Sequence, residues 1–336
     1  MNIFMIGGTG LLGSEGAKAL IENGHKVSTL SLPPIPAGSI LPNEMGVDFG
    51  NYLEMTDEEI RQKLEGCEGF IFAAGVDERI LATSPVYDFF KRHNIDPLRR
   101  FLAIAKECGV RHAVVLGSYF SWANRTFTEL DLYKHHPYIR SRVDQAEMAL
   151  SFADENMSVS VLEIPYVFGS QAGRKPVWVF LVEQIMNMTE ATVYPEGGTT
   201  MVTIRQVGQA IAGAIENGVS GNYPVGYYNM EWSEMLSIMH RYMNSEDKKI
   251  IIVPKEVYIS RMKARGEEER ENGIESGLDT AEFSKVFTSK LFIDKEIIVN
   301  QLRVEEDDID QAIGDSVRLS MEILEGKTSV INMTAV

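Results

Sequence analysis

In the first half of the chain, short apolar runs alternate with longer stretches of helical spacing. Asn2–Ile6 is apolar and stops at Gly7-Gly8. Leu11–Asn23 places Leu12, Ala17, Leu20 and Ile21 at helical intervals and ends at Gly24, a residue suited to a C-terminal cap. Lys26–Leu30 reads as a second strand. Thr56 with Glu59 makes a capping-box pattern that opens a helix over Asp57–Leu64. Gly69–Ala74 and Ala113–Leu116 read as buried strands. Between them runs a helical stretch from about Pro85 to Cys108, with a break expected before Pro97. Pro137–Glu155 is the next helix and Val159–Leu162 the next strand. Strands joined through helices need crossover connections. The pattern therefore predicts an α/β fold, a doubly wound parallel sheet with helices on both faces.

Beyond about Gly169 the rhythm loosens, with glycines at Gly197-Gly198 and from Gly218 to Gly226. The mixed charges of Lys263–Glu271 read as an exposed helix end or loop. Glu305–Asp310 reads as the polar opening of a last helix, and the residues from Lys327 as a loosely held tail. A length of 336 residues fits two parts. The expected division is 1–170 and 171–336, with about 200–230 returning to the first part.

Charge narrows the partners. Asp plus Glu number 48 against 32 Lys plus Arg, a net −16. Such a field repels nucleic-acid phosphate and anionic lipid, so neither nucleic acid nor a membrane is an expected partner. No apolar run approaches the roughly 18 residues of a membrane span. The two cysteines, Cys67 and Cys108, are too few for a disulfide framework and suit a reducing compartment. The N-terminal apolar run lacks the basic flank of a signal peptide, which makes cytoplasm the expectation. His135-His136 offers two imidazoles without a third ligand, and no metal is expected.

The most informative segment is Gly7-Gly8-Thr9-Gly10-Leu11-Leu12-Gly13, lying between the first strand and the first helix. Gly7 permits the tight turn. Gly10 lets backbone approach a pyrophosphate, and Gly13 lets helix and strand pack closely. The helix N-terminus supplies free N–H donors for phosphate. The spacing points to a dinucleotide-binding Rossmann unit.

With this loop in place, residues 1 to about 230 resemble the extended short-chain dehydrogenase/reductase family, which includes NAD-dependent epimerases and dehydratases. Several stretches match in order. Asp48-Phe49 matches the position that the family sets against adenine. Phe72-Ala73-Ala74-Gly75 matches the small-residue strand end along the cofactor. Asn94 matches the asparagine of the central helix, and Arg111–Ser118 the strand that ends in the active-site serine. The turn Pro165-Tyr166-Val167-Phe168-Gly169 matches the family's Val-Tyr-Gly turn, with Pro165 and Val167 lining the nicotinamide.

The resemblance implies a catalytic Tyr-x-x-x-Lys pair and a serine. Here Tyr138 and Ser118 are in place, and Arg142 stands at the lysine position. Residues four apart share a helix face, so both side chains can reach one site. The resemblance assigns Tyr138 to proton exchange with a substrate alcohol or carbonyl, Ser118 to orienting that oxygen, and the cation to holding the ribose. Arginine supplies charge but does not readily lose a proton. Two departures stand nearby. Glu163 replaces the family's arginine before the Val-Tyr-Gly turn, and Thr203–Val207 lacks the paired aspartates.

The end of the second strand usually chooses the cofactor. An acidic residue there favours NAD. Ser31 occupies that position, and the nearest cation in sequence, Lys26, is a strand away. The cofactor is NAD or NADP, with the missing carboxylate tilting the choice towards NADP. The expected function is an NAD(P)-dependent oxidoreductase or epimerase/dehydratase acting on a small hydroxyl or carbonyl compound, nucleotide sugars among the candidates. The alternative is an NAD(P)-binding sensor or partner-binding protein with little turnover, favoured by Arg142. The resemblance also implies a homodimer through the helices at about 85–108 and 137–155. Tyr223, Tyr227, Tyr228 and Trp232 are candidates either for stacking on a ring-shaped substrate or for core packing.

Overall fold

The computed structural model describes residues 1–79 and 83–331. Strands β1 (Asn2–Ile6), β2 (Lys26–Ser31), β3 (Gly46–Phe49), β4 (Gly69–Phe72), β5 (His112–Ser118) and β6 (Ser158–Ile164) pair in parallel with the order β6-β5-β4-β1-β2-β3. The helices between them are α1 (Leu11–Glu22), α2 (Asp57–Leu64), α3 (Val86–Phe90), α4 (Asp96–Glu107), α5 (Tyr119–Thr126), α6 (Leu132–His135) and α7 (Pro137–Leu150).

Alternate residues of a strand point to opposite faces, and β1 shows the consequence. Ile3 and Met5 join one core with Ala17 and Leu20 of α1. Phe4 and Ile6 join the other, with Phe70, Phe72, Phe101 and Leu102. All four residues of β4 are buried, as a strand covered on both faces requires. Each such large apolar side chain contributes on the order of 1.5–3 kcal/mol by burial.

Two sequence expectations change here. The stretch from Pro85 to Cys108 does not break before Pro97. Its irregularity is a π-turn at Lys91–Ile95, directly ahead of Asp96-Pro97, where proline has no N–H to give to the helical ladder. The helix opening at Pro137 stops at Leu150 rather than Glu155. Beyond that end the Asp154 carboxylate accepts from the N–H groups of Asn156 and Met157 and turns the chain into β6. Lys263–Glu271 is the exposed end of a helix, as expected.

Past β6 come β7 (Tyr166–Phe168), α8 (Val179–Asn187), β8 (Ala191–Pro195), β9 (Gly198–Thr203), α9 (Ile204–Asn217) and β10 (Gly221–Pro224). Then follow β11 (Tyr228–Glu231), α10 (Trp232–Tyr242), β12 (Lys249–Val253), α11 (Lys255–Glu271), α12 (Thr280–Phe287), β13 (Lys290–Leu291), α13 (Glu296–Leu302) and α14 (Ile309–Leu324). β10 pairs parallel to β6 as the seventh strand of the large sheet. The small chains of α9, Gly208 and Ala212, suit close helix packing, and an added Cβ at Gly208 would lie 2.6 Å from the Glu15 carbonyl of α1. β7, β9, β11 and β13 form a second sheet, and β8 pairs with β12. Over these lies a separate core that includes Phe168, Trp178, Trp232, Met235 and Ile313.

The end of the chain is tied down as far as Ile331, whose N–H donates to Gly173 and whose carbonyl accepts from Lys175. The rest of the tail expected from Lys327, residues 332–336, lies outside the described residues. No described helix is long and apolar enough to cross a membrane.

Candidate active site

The glycine loop turns where β1 meets α1. Gly7 has φ +85°, and its N–H donates to Leu30 at 2.9 Å. A Cβ at Gly13 would lie 2.2 Å from the Gly7 carbonyl, so the loop folds onto the helix only with glycine there. At Gly10 the one atom within 4 Å of an added Cβ is that same carbonyl, at 3.1 Å, which leaves the outward side open. Helix α1 begins at Gly10 with no side-chain cap. Its first N–H groups, from Leu11, Leu12 and Gly13, thus face the space where an anion is best held. Behind the loop, Thr29 Oγ1 accepts from the Gly8 N–H at 2.8 Å, and Ser31 Oγ from the Thr9 N–H at 3.3 Å. The open Gly10 face and the uncapped helix fit a dinucleotide pyrophosphate.

Ser118 ends β5 and caps α5, accepting from the Phe120 N–H at 3.4 Å. Tyr138 lies in the first turn of α7 and Arg142 one turn later, and all three are buried. Arg142 donates through Nη2 to the Leu116 carbonyl at 2.8 Å, while its buried Nε has no partner among the described residues. Its Cζ lies 6.0 Å from the centre of the Tyr138 ring. Burial pushes the Tyr138 hydroxyl up to about 12, against the pull of Arg142 and of the nearby Ser118 hydroxyl. Phe90 packs edge-on against the same ring at 5.3 Å, and the Tyr138 N–H donates to Gly277 at 2.9 Å.

Asn94 reaches the site from the π-turn. Its Oδ1 accepts from the Val76 N–H at 2.8 Å, and its Nδ2 donates to the Val76 carbonyl at 3.0 Å. Both amide atoms are engaged by protein, and Asn94 braces the loop after β4. The same bracing explains Gly75, at φ +143°, where a Cβ would lie 2.7 Å from Asn94 Oδ1. Ala73 lies behind the glycine loop, since a Cβ at Gly7 would lie 2.6 Å from the Ala73 carbonyl. Ala74 follows it at the half-buried strand end. Val167 accepts from Trp178 Nε1 at 2.8 Å, and Pro165 opens the turn before it. Asp48 and Phe49 end the edge strand β3, exposed, with Asp48 paired to Lys63.

Residues that sequence reasoning passed over also meet here. The loop after β4 carries Asp77, Glu78 and Arg79. Glu78 acts electrostatically on Tyr119, Tyr138 and Tyr166. Burial raises its own carboxyl, with Asp77 adding to the rise and Arg79 and Arg142 opposing it. Arg79 donates to the Val177 carbonyl at 3.1 Å and so ties this loop to the segment after β7. Three adjacent charges just beyond a buried strand were the available signal. An aromatic cluster lies in the core beside this region. Tyr119, Tyr166, Trp178 and Trp232 adjoin, with Tyr166 5.0 Å from Trp178 and 5.5 Å from Trp232, and all but the half-buried Tyr166 are buried. Of the four aromatics named from sequence, Tyr223 and Trp232 take the core-packing role. Tyr223 donates to Val219 and Tyr228 to Asp307, on other faces of the fold.

Two nearby polar groups have local duties. Glu163 is fully buried and pairs with Arg125 at 2.8 Å, and burial raises its carboxyl to about 7. His136 accepts at Nδ1 from the Asp279 N–H, and burial lowers its imidazole to about 4.

Comparison with known proteins follows the same lines. The sequence profile of the NAD dependent epimerase/dehydratase family matches residues 3–222. No curated protein matches the chain. The solved structure of gox2253 superposes with a TM-score of 0.74 at 16% identity, covering 97% of this chain and 99% of that one. UDP-glucuronic acid 4-epimerase from Bacillus cereus, in complex with NAD, superposes at 0.65 and 10% identity over 97% and 98%. UDP-glucose-4-epimerase from Stenotrophomonas maltophila, with bound NAD and formylated UDP-arabinopyranose, superposes at 0.66 and 13% over 97% and 99%. At these identities the structural likeness is one of fold.

Proposed function

The chain belongs to the NAD-dependent epimerase/dehydratase family, and from that premise we propose that Tyr138, Ser118 and Arg142 carry out its chemistry on a hydroxyl or carbonyl carbon. The observation that carries this reading is the buried Tyr138 hydroxyl, held between Ser118 and the Arg142 charge, on the sheet end that also bears the glycine loop. The dinucleotide, held by Gly7, Gly10 and the N–H groups of Leu11 to Gly13, supplies the hydride acceptor or donor.

The protein's own part is proton transfer and orientation. Ser118 donates to the substrate oxygen and holds it against Tyr138. With its pKa near 12, Tyr138 is a phenol at neutral pH and serves first as an acid, giving its proton to a carbonyl oxygen as the carbon gains hydride. In the opposite direction the alcohol proton returns to Tyr138 oxygen, and Arg142 stabilises the phenolate needed to accept it. Arg142 cannot relay a proton onward, so the second reading, a binding protein with little turnover, keeps one specific support.

Nucleotide sugars are the leading substrate class, since the compared epimerases act on them. The segment beyond about residue 170 contributes substrate choice. A homodimer through α4 and α7 completes the proposal, and sedimentation at micromolar concentration tests it. The decisive experiment for the chemistry follows hydride exchange on a panel of nucleotide sugars and simple carbonyl compounds, comparing the parent with Tyr138→Phe. Cofactor binding without turnover on any substrate would favour the second reading.

A further inference from the structure

The end of β2 has no acidic residue, and no cation is near it in sequence. The tertiary structure supplies one from far along the chain. After β7 the backbone crosses above the glycine loop as a strap over residues 170–178. Gln171 donates through Nε2 to the Thr9 carbonyl at 3.1 Å, and to Ser39 Oγ at 3.0 Å. Its Oε1 accepts from Arg174 Nε at 2.9 Å, which fixes the guanidinium. Arg174 Nη2 lies 3.4 Å from the same Thr9 carbonyl. The Thr9 N–H meanwhile donates to Ser31 Oγ. The two ends of one residue therefore touch Ser31 on one side and Arg174 on the other. The strap is anchored twice more. A Cβ at Gly173 would lie 2.2 Å from the Ala37 carbonyl, and Ile331 pairs with the strap backbone on the other side.

Arg174 is half-buried, and among the described residues no carboxylate pairs with it; burial lowers its pKa. A cation withdrawn from water without a counter-charge is costly, and a phosphate arriving beside it removes that cost. The pyrophosphate already has the N-terminus of α1. Gln171 and Arg174 instead meet the Thr9 carbonyl, and Gln171 and Gly173 abut Ser39 and Ala37 in the segment that follows β2, the side on which an adenosine ribose would lie.

We infer that Arg174, positioned by Gln171, is the residue that recognises a 2′-phosphate on the adenosine ribose, so that the chain takes NADP(H) in preference to NAD(H). This rests on the dinucleotide reading above. The planar guanidinium can meet a phosphate through two N–H groups, Ser39 adds a hydroxyl donor, and the end of β2 carries no repelling carboxylate.

The test titrates the full-length protein with NADPH and NADH by fluorescence, and with 2′,5′-ADP and 5′-AMP by calorimetry. Arg174→Ala should weaken NADPH and 2′,5′-ADP by about tenfold or more, and NADH and 5′-AMP by less than about threefold. Arg174→Lys should recover part of the loss. The retained NADH affinity, with an unchanged melting temperature, shows that the variant is folded. An unchanged NADPH/NADH ratio in Arg174→Ala overturns the proposal. So does an equal loss on both dinucleotides, which would place the guanidinium on the pyrophosphate or make it a support for the loop. If the parent binds neither dinucleotide, the cofactor reading falls with it. If the parent binds both, Gly10→Val abolishes both and Arg174→Ala leaves the ratio alone, only the Arg174 assignment fails.

Discussion

The two ends of the proposed cofactor cleft are built in opposite ways. At the nicotinamide end, Tyr138 and Arg142 are four residues apart on α7 and meet because a helix turns every 3.6 residues. At the adenosine end, Thr9 and Arg174 are 165 positions apart and meet because a strap folds back over the glycine loop. Local geometry makes the first end robust to changes elsewhere. The second depends on Gly173, Ala37 and Ile331 all holding the strap in place. A charge can thus be supplied to a site without any signal beside the motif that defines it.

The sharpest way to separate the two ends is to remove one hydroxyl. Tyr138→Phe keeps the ring against Phe90 and should lower turnover on the true substrate by about 100-fold or more, with dinucleotide affinity unchanged. Full activity in this variant would remove Tyr138 from the chemistry and leave a binding cleft. Gly10→Val acts where the two ends join. An added Cβ meets only the Gly7 carbonyl, at 3.1 Å, so the loop must give by a few tenths of an ångström; the protein should fold while affinity for both dinucleotides falls by more than about tenfold. Binding equal to the parent's would show that the open face of Gly10 is not where the ligand lies.

Arg142→Lys probes whether the helical end tolerates the simpler cation. Arg142 holds the Leu116 carbonyl while facing Tyr138, and an ammonium cannot reproduce both arrangements, so turnover should fall by about fivefold to tenfold. A rise in turnover would instead mark the arginine as an impaired lysine. The smallest effect concerns Glu163, beside the nicotinamide end. Its folded pKa, about 7, lies above the usual carboxylate value, so the stability it contributes is complete at low pH. That stability is lost as pH rises from the ordinary carboxylate range to about 7. Glu163→Gln should flatten this slope, with a melting temperature that gains on the parent by a few degrees between pH 5 and pH 8. A constant difference across that range would mean that Glu163 is ionised throughout.

Alternation and spacing made most of the parallel sheet legible. β1, β2, β4, β5 and β6 follow apolar runs bounded by glycine or polar residues, whereas the largely exposed edge strand β3 has no such run, and α2 opens at the capping box formed by Thr56 and Glu59. Element ends were less legible. The Asp154 turn beyond α7 and the π-turn at Lys91–Ile95 depend on contacts that no period records. The proposed catalytic trio could be named because the family resemblance marks it, at one helical interval and one strand end. The aromatic cluster could not, since Tyr119, Tyr166, Trp178 and Trp232 come from four separate elements or their borders. Adjacent tyrosines in sequence, Tyr227 and Tyr228, proved to be elsewhere.

What the sequence by itself determined, then, is whatever repeats within a few residues: strand pleat, helical period, a glycine loop whose tight turn excludes side chains, and the Tyr138–Arg142 interval. These are governed by backbone sterics and neighbouring side chains, which act at short range along the chain. The tertiary structure alone decided how distant charges are buried and paired. Glu78, Arg174 and the Glu163–Arg125 pair owe their electrostatics to burial and to partners that arrive from distant segments. Burial and pairing exist only after the chain has packed, so no reading of local pattern reaches them.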